Sequence, residues 1–476
     1  MTSRRDFLKT LGVSAAAISL GGLSDVLAAQ RADAENDKKR RGKVRIAYIG
    51  IGNRGEQNIE EFARTGMVDV TALCDIDLGA PHTQKALNMY PDAKRFRDFR
   101  DMFERASGDF DAVCASVPDH MHFPVAMLAM AHGKHIYVEK PMCRTFFEGE
   151  LMMDMARRHP ELATQVGNQG HSEGNYFQFK AWKDAGIIKD VTAITAHMNS
   201  PRRWHGYDIN MLHMPGFEPM SADIDWDTWT GPAVYHGFSD KYHQGNWRCW
   251  YDYGMGALGD WGAHILDTAH EFLELGLPYE IDMKYANGHN SYFFPYSSTL
   301  LFRFPARNGM PPCDITWYDG LDNLPPLPAN YGESEFNPNV PPTNQGATPV
   351  ADLNPGKIIY GRDLTFKGSS HGSTLSILPS QNALDIASSL PEVPKSPSNH
   401  YENFLLACMD EEKTRSPFEI NGVLSQVFCL GVIAQRLNTR LFFDSHTKRF
   451  TNNDFANALL TGMPPRKGWE DFYKLT

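Results

Sequence analysis

The chain has 476 residues, of which 42% are apolar, 12% aromatic and 22% charged, so it can bury a large core and is not disordered as a whole. Lysine and arginine total 46 against 57 acids, a net charge of −11. That is the wrong sign for a protein that coats a phosphate backbone, and nucleic acid is excluded as a partner. The length points to two folded units. Seven cysteines, an odd number without any C-x-x-C pair, argue against a disulfide framework and a zinc ribbon, and no metal site is expected.

Arg4-Arg5-Asp6-Phe7-Leu8-Lys9 precedes an uncharged run from Thr10 to Ser24, too short for a bilayer span of about 20 residues. With small residues at Val26, Ala28 and Ala29, the order is that of a signal peptide over residues 1–29. The paired arginines resemble the twin-arginine export signal, which implies the twin-arginine translocase as a transient partner and a periplasmic destination. No cysteine precedes Cys74, so a lipid or other membrane anchor is not expected. Residues 30–42, polar and charged, read as a disordered lead-in.

The nucleotide-binding unit is placed at residues 43–165. A buried-strand run, Val44 to Ile49, leads into Gly50-Ile51-Gly52-Asn53-Arg54-Gly55 and a helical stretch over Glu56 to Arg64. In G-x-G-x-x-G the first glycine makes the turn, the second lets backbone approach a pyrophosphate, and the third lets helix and strand pack closely; Asn53 and Arg54 open the helix. A second strand, Val68 to Cys74, ends at Asp75, where a carboxylate accepts from a ribose 2′-hydroxyl and repels a 2′-phosphate, favouring NAD over NADP. Helices near Gly79 to Met89 and Pro124 to His132, the Phe96 to Arg105 segment, and strands Asp111 to Val117 and His135 to Val138 continue the alternation. The order predicts a Rossmann-type α/β domain with a doubly wound parallel sheet.

Ser116-Val117-Pro118-Asp119-His120-Met121-His122 and Gly133 to Pro141, with Glu139-Lys140-Pro141, resemble the Gfo/Idh/MocA oxidoreductases. The resemblance implies that Ser116, Pro118, His122, Glu139 and Lys140 surround the cofactor, that Lys140 reaches nicotinamide and substrate, and that the Lys140-Pro141 bond is often cis. A second match, Asp260-Trp261-Gly262-Ala263-His264 after a glycine-rich turn, follows the family's D-x-G-x-H. That spacing puts Asp260 and His264 on one helical face, where a carboxylate can orient an imidazole and raise its basicity. Gln165 to Ser172 resembles the crossover into the second unit, Asn246 to Gly254 the approach to the catalytic helix, and Asn399 to Leu460 the closing helices.

The second unit, residues 166–476, is expected to be an α+β domain with a large open, mainly antiparallel sheet that includes Val191 to His197 and Ser298 to Phe304. Trp204, His205, Tyr207, Trp247, Arg248 and Tyr251 are candidates to line a sugar cleft, because aromatic faces stack on sugar rings while their polar edges bond hydroxyls. Asn168 and His171 are added because they follow the crossover. Leu321 to Val350, with seven prolines and no basic residue, reads as a surface excursion or oligomer contact.

The resemblance implies an NAD-dependent oxidoreductase acting on a sugar, glycoside or cyclitol hydroxyl. His264, assisted by Asp260, would take the hydroxyl proton, and Lys140 would polarise the same oxygen. Because a periplasm supplies no free NAD, the cofactor would be loaded before export, tightly held and recycled in place. The alternative is an NAD-dependent glycosidase working by transient oxidation and elimination; the glycosidases on this fold lack the D-x-G-x-H helix. A silent sugar-binding module is a third option, and a homo-oligomer formed through the open sheet is expected by analogy.

Overall fold

The computed structural model describes residues 42–199, 207–243, 245–328, 330–331 and 353–475. The signal region, nearly all of the lead-in, Trp204, His205 and most of the proline-rich excursion lie outside the described residues.

The first half is a six-stranded parallel sheet built from β1 (Val44–Ile49), β2 (Val68–Cys74), β3 (Lys94–Phe96), β4 (Ala112–Ala115), β5 (His135–Val138) and β6 (Thr164–Val166), in the order β3-β2-β1-β4-β5-β6. Helices α1 (Arg54–Arg64), α2 (Gln84–Met89), α3 (Phe99–Ala106), α4 (Asp119–Ala131) and α5 (Phe146–Arg158) connect and flank these strands. Side chains alternate between the faces of a strand. Val44, Ile46 and Tyr48 of β1 therefore enter one core with Phe62 of α1, while Ala47 and Ile49 enter the other with Phe99 and Phe123. Both faces are covered, which is why the strand reads as an unbroken apolar run. Each such side chain, once buried, contributes about 1.5–3 kcal/mol.

Helix α4 begins at Asp119, five residues before the start predicted at Pro124. Pro118 supplies the extended entry and Asp119 the acidic first turn, and burial of nearly the whole helix outweighs the proline inside it.

In the second half the helices are α6 (Gly174–Asp184), α7 (Trp226–Thr230), α8 (Gly256–Ile265), α9 (Asp267–Phe272), α10 (Ser380–Asp385), α11 (His400–Cys408), α12 (Phe418–Leu437) and α13 (Asp454–Thr461). The strands are β7 (Ala193–Met198), β8 (Glu280–Asn287), β9 (Ser297–Phe304), β10 (Cys313–Asp319), β11 (Gly356–Tyr360), β12 (Thr365–Ser369), β13 (Ser376–Leu378), β14 (Arg440–Asp444) and β15 (Arg449–Phe450). They form one nine-stranded sheet, β13-β12-β11-β7-β10-β9-β8-β14-β15, in which β7 and β10 run parallel and the other pairs antiparallel.

Late segments of the chain close the first half. Tyr401 and Phe404 of α11 pack on Phe62 with ring centroids 5.0 and 5.9 Å away. Trp469 and Phe472 meet Phe99 at 6.0 and 6.1 Å, and Tyr473 meets Phe123 at 4.5 Å. Helix α12 is long and apolar enough to cross a membrane by composition, yet it is mostly buried in the core. Several of its polar side chains find partners there, as where Gln435 Nε2 donates to Ser298 Oγ at 2.7 Å.

Candidate functional site

A cleft of about 1030 Å³ runs between the two halves, and a smaller cavity of about 150 Å³ lies against the glycine turn. Gly50 has φ +80°, a conformation L side chains rarely adopt, and a Cβ on Gly55 would run into the Gly50 carbonyl oxygen. Gly50, Gly52, Asn53 and Asp75 line the smaller cavity, and Gly52, Asn53, Arg54, Ser116, Pro118, His122, Glu139 and Lys140 line the cleft. Gly55 reaches neither wall and serves the contact of helix with strand.

Asp75 is partly buried; one carboxylate oxygen accepts from the Ile51 amide at 3.0 Å and the other from the Asp77 amide at 3.1 Å. Burial raises its pKa against those two bonds. Arg97 lines the same cavity, but its guanidinium donates to the Asp223 carbonyl and, at 3.4 Å, to that of Ala222. A glycine turn no Cβ could replace, a carboxylate at the end of the second strand and a helix N-terminus beside them fit a dinucleotide.

Deeper in the cleft, Arg54 Nε bonds Glu139 Oε1 at 2.8 Å, Asn58 Nδ2 donates to the same oxygen at 2.9 Å, and Arg54 also donates to the Tyr401 hydroxyl. Burial would push Glu139 up, but Arg54, Lys140 and the Asn58 bond hold it below the usual carboxylate range. A Cβ on Gly167 would stand 2.9 Å from the Glu139 carboxyl atoms, so the carboxylate position requires glycine there. The Lys140-Pro141 bond is cis. His122 brackets this loop, its Nδ1 2.7 Å from the Pro141 carbonyl oxygen and its Nε2 2.9 Å from that of Val117; burial pushes its pKa down to about 4.

Helix α8 is fixed at both ends by other elements. Asp119 accepts from the Met255 amide at 3.0 Å, just before the first turn. The carbonyls of the last turn, which have no partner within a helix, take Asn168 Nδ2 at Ala263 (2.9 Å) and the His371 amide at His264 (3.0 Å). Lys140, Arg248, Asp260, Trp261, His264 and His371 thereby share the cleft wall.

Asp260 does not orient His264 as the helical spacing suggested. Its carboxylate takes Lys140 Nζ at 2.6 Å, with Arg248 Nε at 3.7 Å, while Lys140 also donates to the Asp260 carbonyl at 3.0 Å. Cations about 120 residues and 12 residues away in sequence set its direction more strongly than the imidazole one turn on. The His264 ring stacks on His371 at 4.0 Å between centroids, and its Nδ1 is buried without a hydrogen-bond partner. Burial, Lys140 and His371 depress its pKa well below the ordinary histidine value, so the ring is uncharged.

Of the other substrate candidates, Trp247 and Arg248 line the cleft, with the guanidinium 4.2 Å over the indole. Four lie away from it, contrary to expectation. Asn168 is buried against α8; His171 is buried with Nδ1 2.9 Å from the Arg415 carbonyl oxygen, beside Asp267 and Glu271; Tyr251 is packed on Phe294. Proximity in sequence to the crossover or the catalytic helix did not translate into exposure on the cleft. Tyr207 packs on Trp250.

The sequence reading missed Gln169, Ser172, Glu173, Trp261, His371, Asn399, His400 and Tyr401, all on the cleft wall. His371 sits in the polar turn Ser369-Ser370-His371-Gly372, and Asn399-His400-Tyr401-Glu402 carries a capping-box pattern that the structure forms. Both signals were visible, but neither says which cavity the turn faces.

Residues 44–167 match the family model for an oxidoreductase family NAD-binding Rossmann fold, residues 184–291 that for an oxidoreductase family C-terminal alpha/beta domain, and residues 1–21 a twin-arginine translocation pathway signal sequence. The chain belongs to the Gfo/Idh/MocA oxidoreductase family. It is 31% identical over 184 residues to a glycosyl hydrolase family 109 protein of Shewanella sp. strain W3-18-1, a match covering 35% of this chain and 39% of that protein. Among solved structures it resembles the WlbA dehydrogenase of Bordetella pertussis in complex with NADH and UDP-GlcNAcA, with TM-score 0.54, 14% identity, and 84% of this chain and 99% of that chain covered. An aldose-aldose oxidoreductase of Caulobacter crescentus complexed with glycerol gives TM-score 0.50, 14% identity, and 84% and 100% coverage. At such identities the likeness is one of fold.

Proposed function

We propose that this protein is an exported, NAD-dependent oxidoreductase acting on a hydroxyl of a sugar, glycoside or cyclitol. The observation that carries the reading is the meeting of Lys140, Asp260 and His264 in one cleft that continues from the glycine turn. A bound nicotinamide would supply the acceptor for hydride from the carbinol carbon and, for turnover, the donor of that hydride to a second, carbonyl substrate. Gly50, Gly52 and Asn53 would cradle the pyrophosphate, and Asp75 would bind the ribose and disfavour a 2′-phosphate.

The chain's own groups divide the remaining work. Lys140, held by Asp260, donates to the substrate oxygen and stabilises its developing negative charge. His264, uncharged because burial and the nearby lysine lower its proton affinity, is the group placed to accept the hydroxyl proton. Trp247, Trp261 and His371 offer ring faces to a sugar, and Arg248 offers donors to its hydroxyls. The twin-arginine signal supports folding and cofactor loading before export to a periplasmic site.

The relatedness to glycosyl hydrolase family 109 proteins favours a second reading, redox-neutral cleavage of a glycoside through transient oxidation and elimination. One experiment separates the two. The exported protein, purified without added cofactor, is incubated with a panel of glycosides and the products are analysed. A ketosugar supports the oxidoreductase, a free aglycone the glycosidase, and neither product from a protein carrying NAD(H) overturns both.

A further inference from the structure

A separate cavity of about 40 Å³, sharing no lining residue with the cleft, is bounded by Arg144, Tyr251, Asp252, Arg436, Gly462 and Met463 among others. Two donors of these bounding residues are buried without partners: Arg144 Nε and the hydroxyl of Tyr251, a residue only 3% exposed. Among the described residues the Arg144 guanidinium makes no ion pair. Arg436 lies 5.3 Å over the Tyr251 ring and 3.8 Å from Asp252, whose carboxylate is already bonded to His236 at 2.9 Å. Two permanent cations thus face one carboxylate that is shared with a histidine, and the wall carries excess positive charge.

An enclosed guanidinium and phenol with unmet donors are costly unless an acceptor reaches them. A cavity of about 40 Å³ has room for a few groups the size of water and no more. We propose that this cavity binds a small monovalent anion, a halide or a carboxylate, held by Arg144 Nε and the Tyr251 hydroxyl with Arg436 closing the outer side. The site joins the two halves of the molecule, because Arg144 follows Lys140 by four residues while Tyr251 and Arg436 belong to the second unit. It uses none of the cleft residues and is independent of the redox reading.

The test uses the full-length exported protein. Crystals soaked in bromide should show an anomalous peak within hydrogen-bond distance of Arg144 Nε and the Tyr251 hydroxyl. In solution, replacing gluconate by chloride or formate at equal ionic strength should raise Tm by roughly 1–2 °C in a saturable way. Arg144→Met should abolish the shift, and Tyr251→Phe, which keeps the ring, should at least halve it. A larger shift with formate than with chloride identifies a carboxylate as the better ligand, and the reverse a halide. Ordered water alone at the site, or the same shift in Tyr251→Phe and Arg144→Met as in the parent, overturns the proposal.

Discussion

Lys140 is held at two points of one residue, the carboxylate and the carbonyl of Asp260, which fixes its ammonium group where a third donor position can meet substrate. Replacing it with methionine keeps the length and removes the charge. Lys140→Met should lower turnover by about a thousandfold or more while calorimetry finds dinucleotide affinity within a few-fold of the parent; unchanged turnover would remove the lysine from the proposed chemistry. At the other end of the proposed cofactor site, Asp75→Ala removes the carboxylate proposed to disfavour a 2′-phosphate, so the expected preference for NAD over NADP, read from the ratio of dissociation constants, should shrink by tenfold or more. These positions were legible because each sits in a fixed-spacing motif. The direction of the Asp260 carboxylate was not, since the competing cations come from distant parts of the chain and no periodicity encodes which neighbour wins.

The same contrast holds for whole elements. Helix α8 was visible from its glycine-rich approach and D-x-G-x-H pattern, yet its placement depends on contacts outside its own sequence: Asp119 at its start, and Asn168 with the His371 amide at its end. Asn168→Ala leaves the Ala263 carbonyl buried and unmatched, which should cost about 1–3 kcal/mol of stability in urea unfolding. It should also reduce turnover, because His264 lies on the loosened turn; a variant as stable and active as the parent would show that the bond does not position the helix. Gly167→Ala should act on the neighbouring strand end. Its Cβ would press on Glu139 2.9 Å away and disturb the carboxylate that holds Arg54, with loss of dinucleotide affinity as the readout.

For the molecule as a whole, proton balance decides how it meets acid. Burial pushes His120 and His400 down to about 3 and His122, His197 and His270 down to about 4, against an ordinary value of 6.5. The unfolded chain therefore binds protons that the folded chain refuses. The stability these groups contribute is complete above pH 6.5 and is lost progressively as pH falls from 6.5 toward 4, at about 1.4 kcal/mol per pH unit for each histidine. Asp319, raised by burial to about 6, works in the opposite sense, as do Asp75, Glu173 and Glu271, also raised by burial, but the five histidines, joined by His132 at about 4, outnumber them. Calorimetry at pH 7.5, 6.0 and 5.0 should show a steep fall in Tm below 6.5; a flat profile would mean that these rings take up protons in place. The doubly wound sheet and the open second sheet were readable from strand and helix alternation, which follows local burial. The return of α11 and the last residues onto the first half was not, because it pairs segments hundreds of positions apart with no periodic signature.

That return has a bearing on biogenesis. Phe99 and Phe123 wait for Trp469, Phe472 and Tyr473, so the nucleotide half emerges from the ribosome with part of its wall missing and is completed only once that distant segment has been made. A chain threaded through a membrane as it is made would have to keep those rings apart until the far side. Transport after assembly lets the later-made segment around Trp469 seal the earlier-made domain before departure.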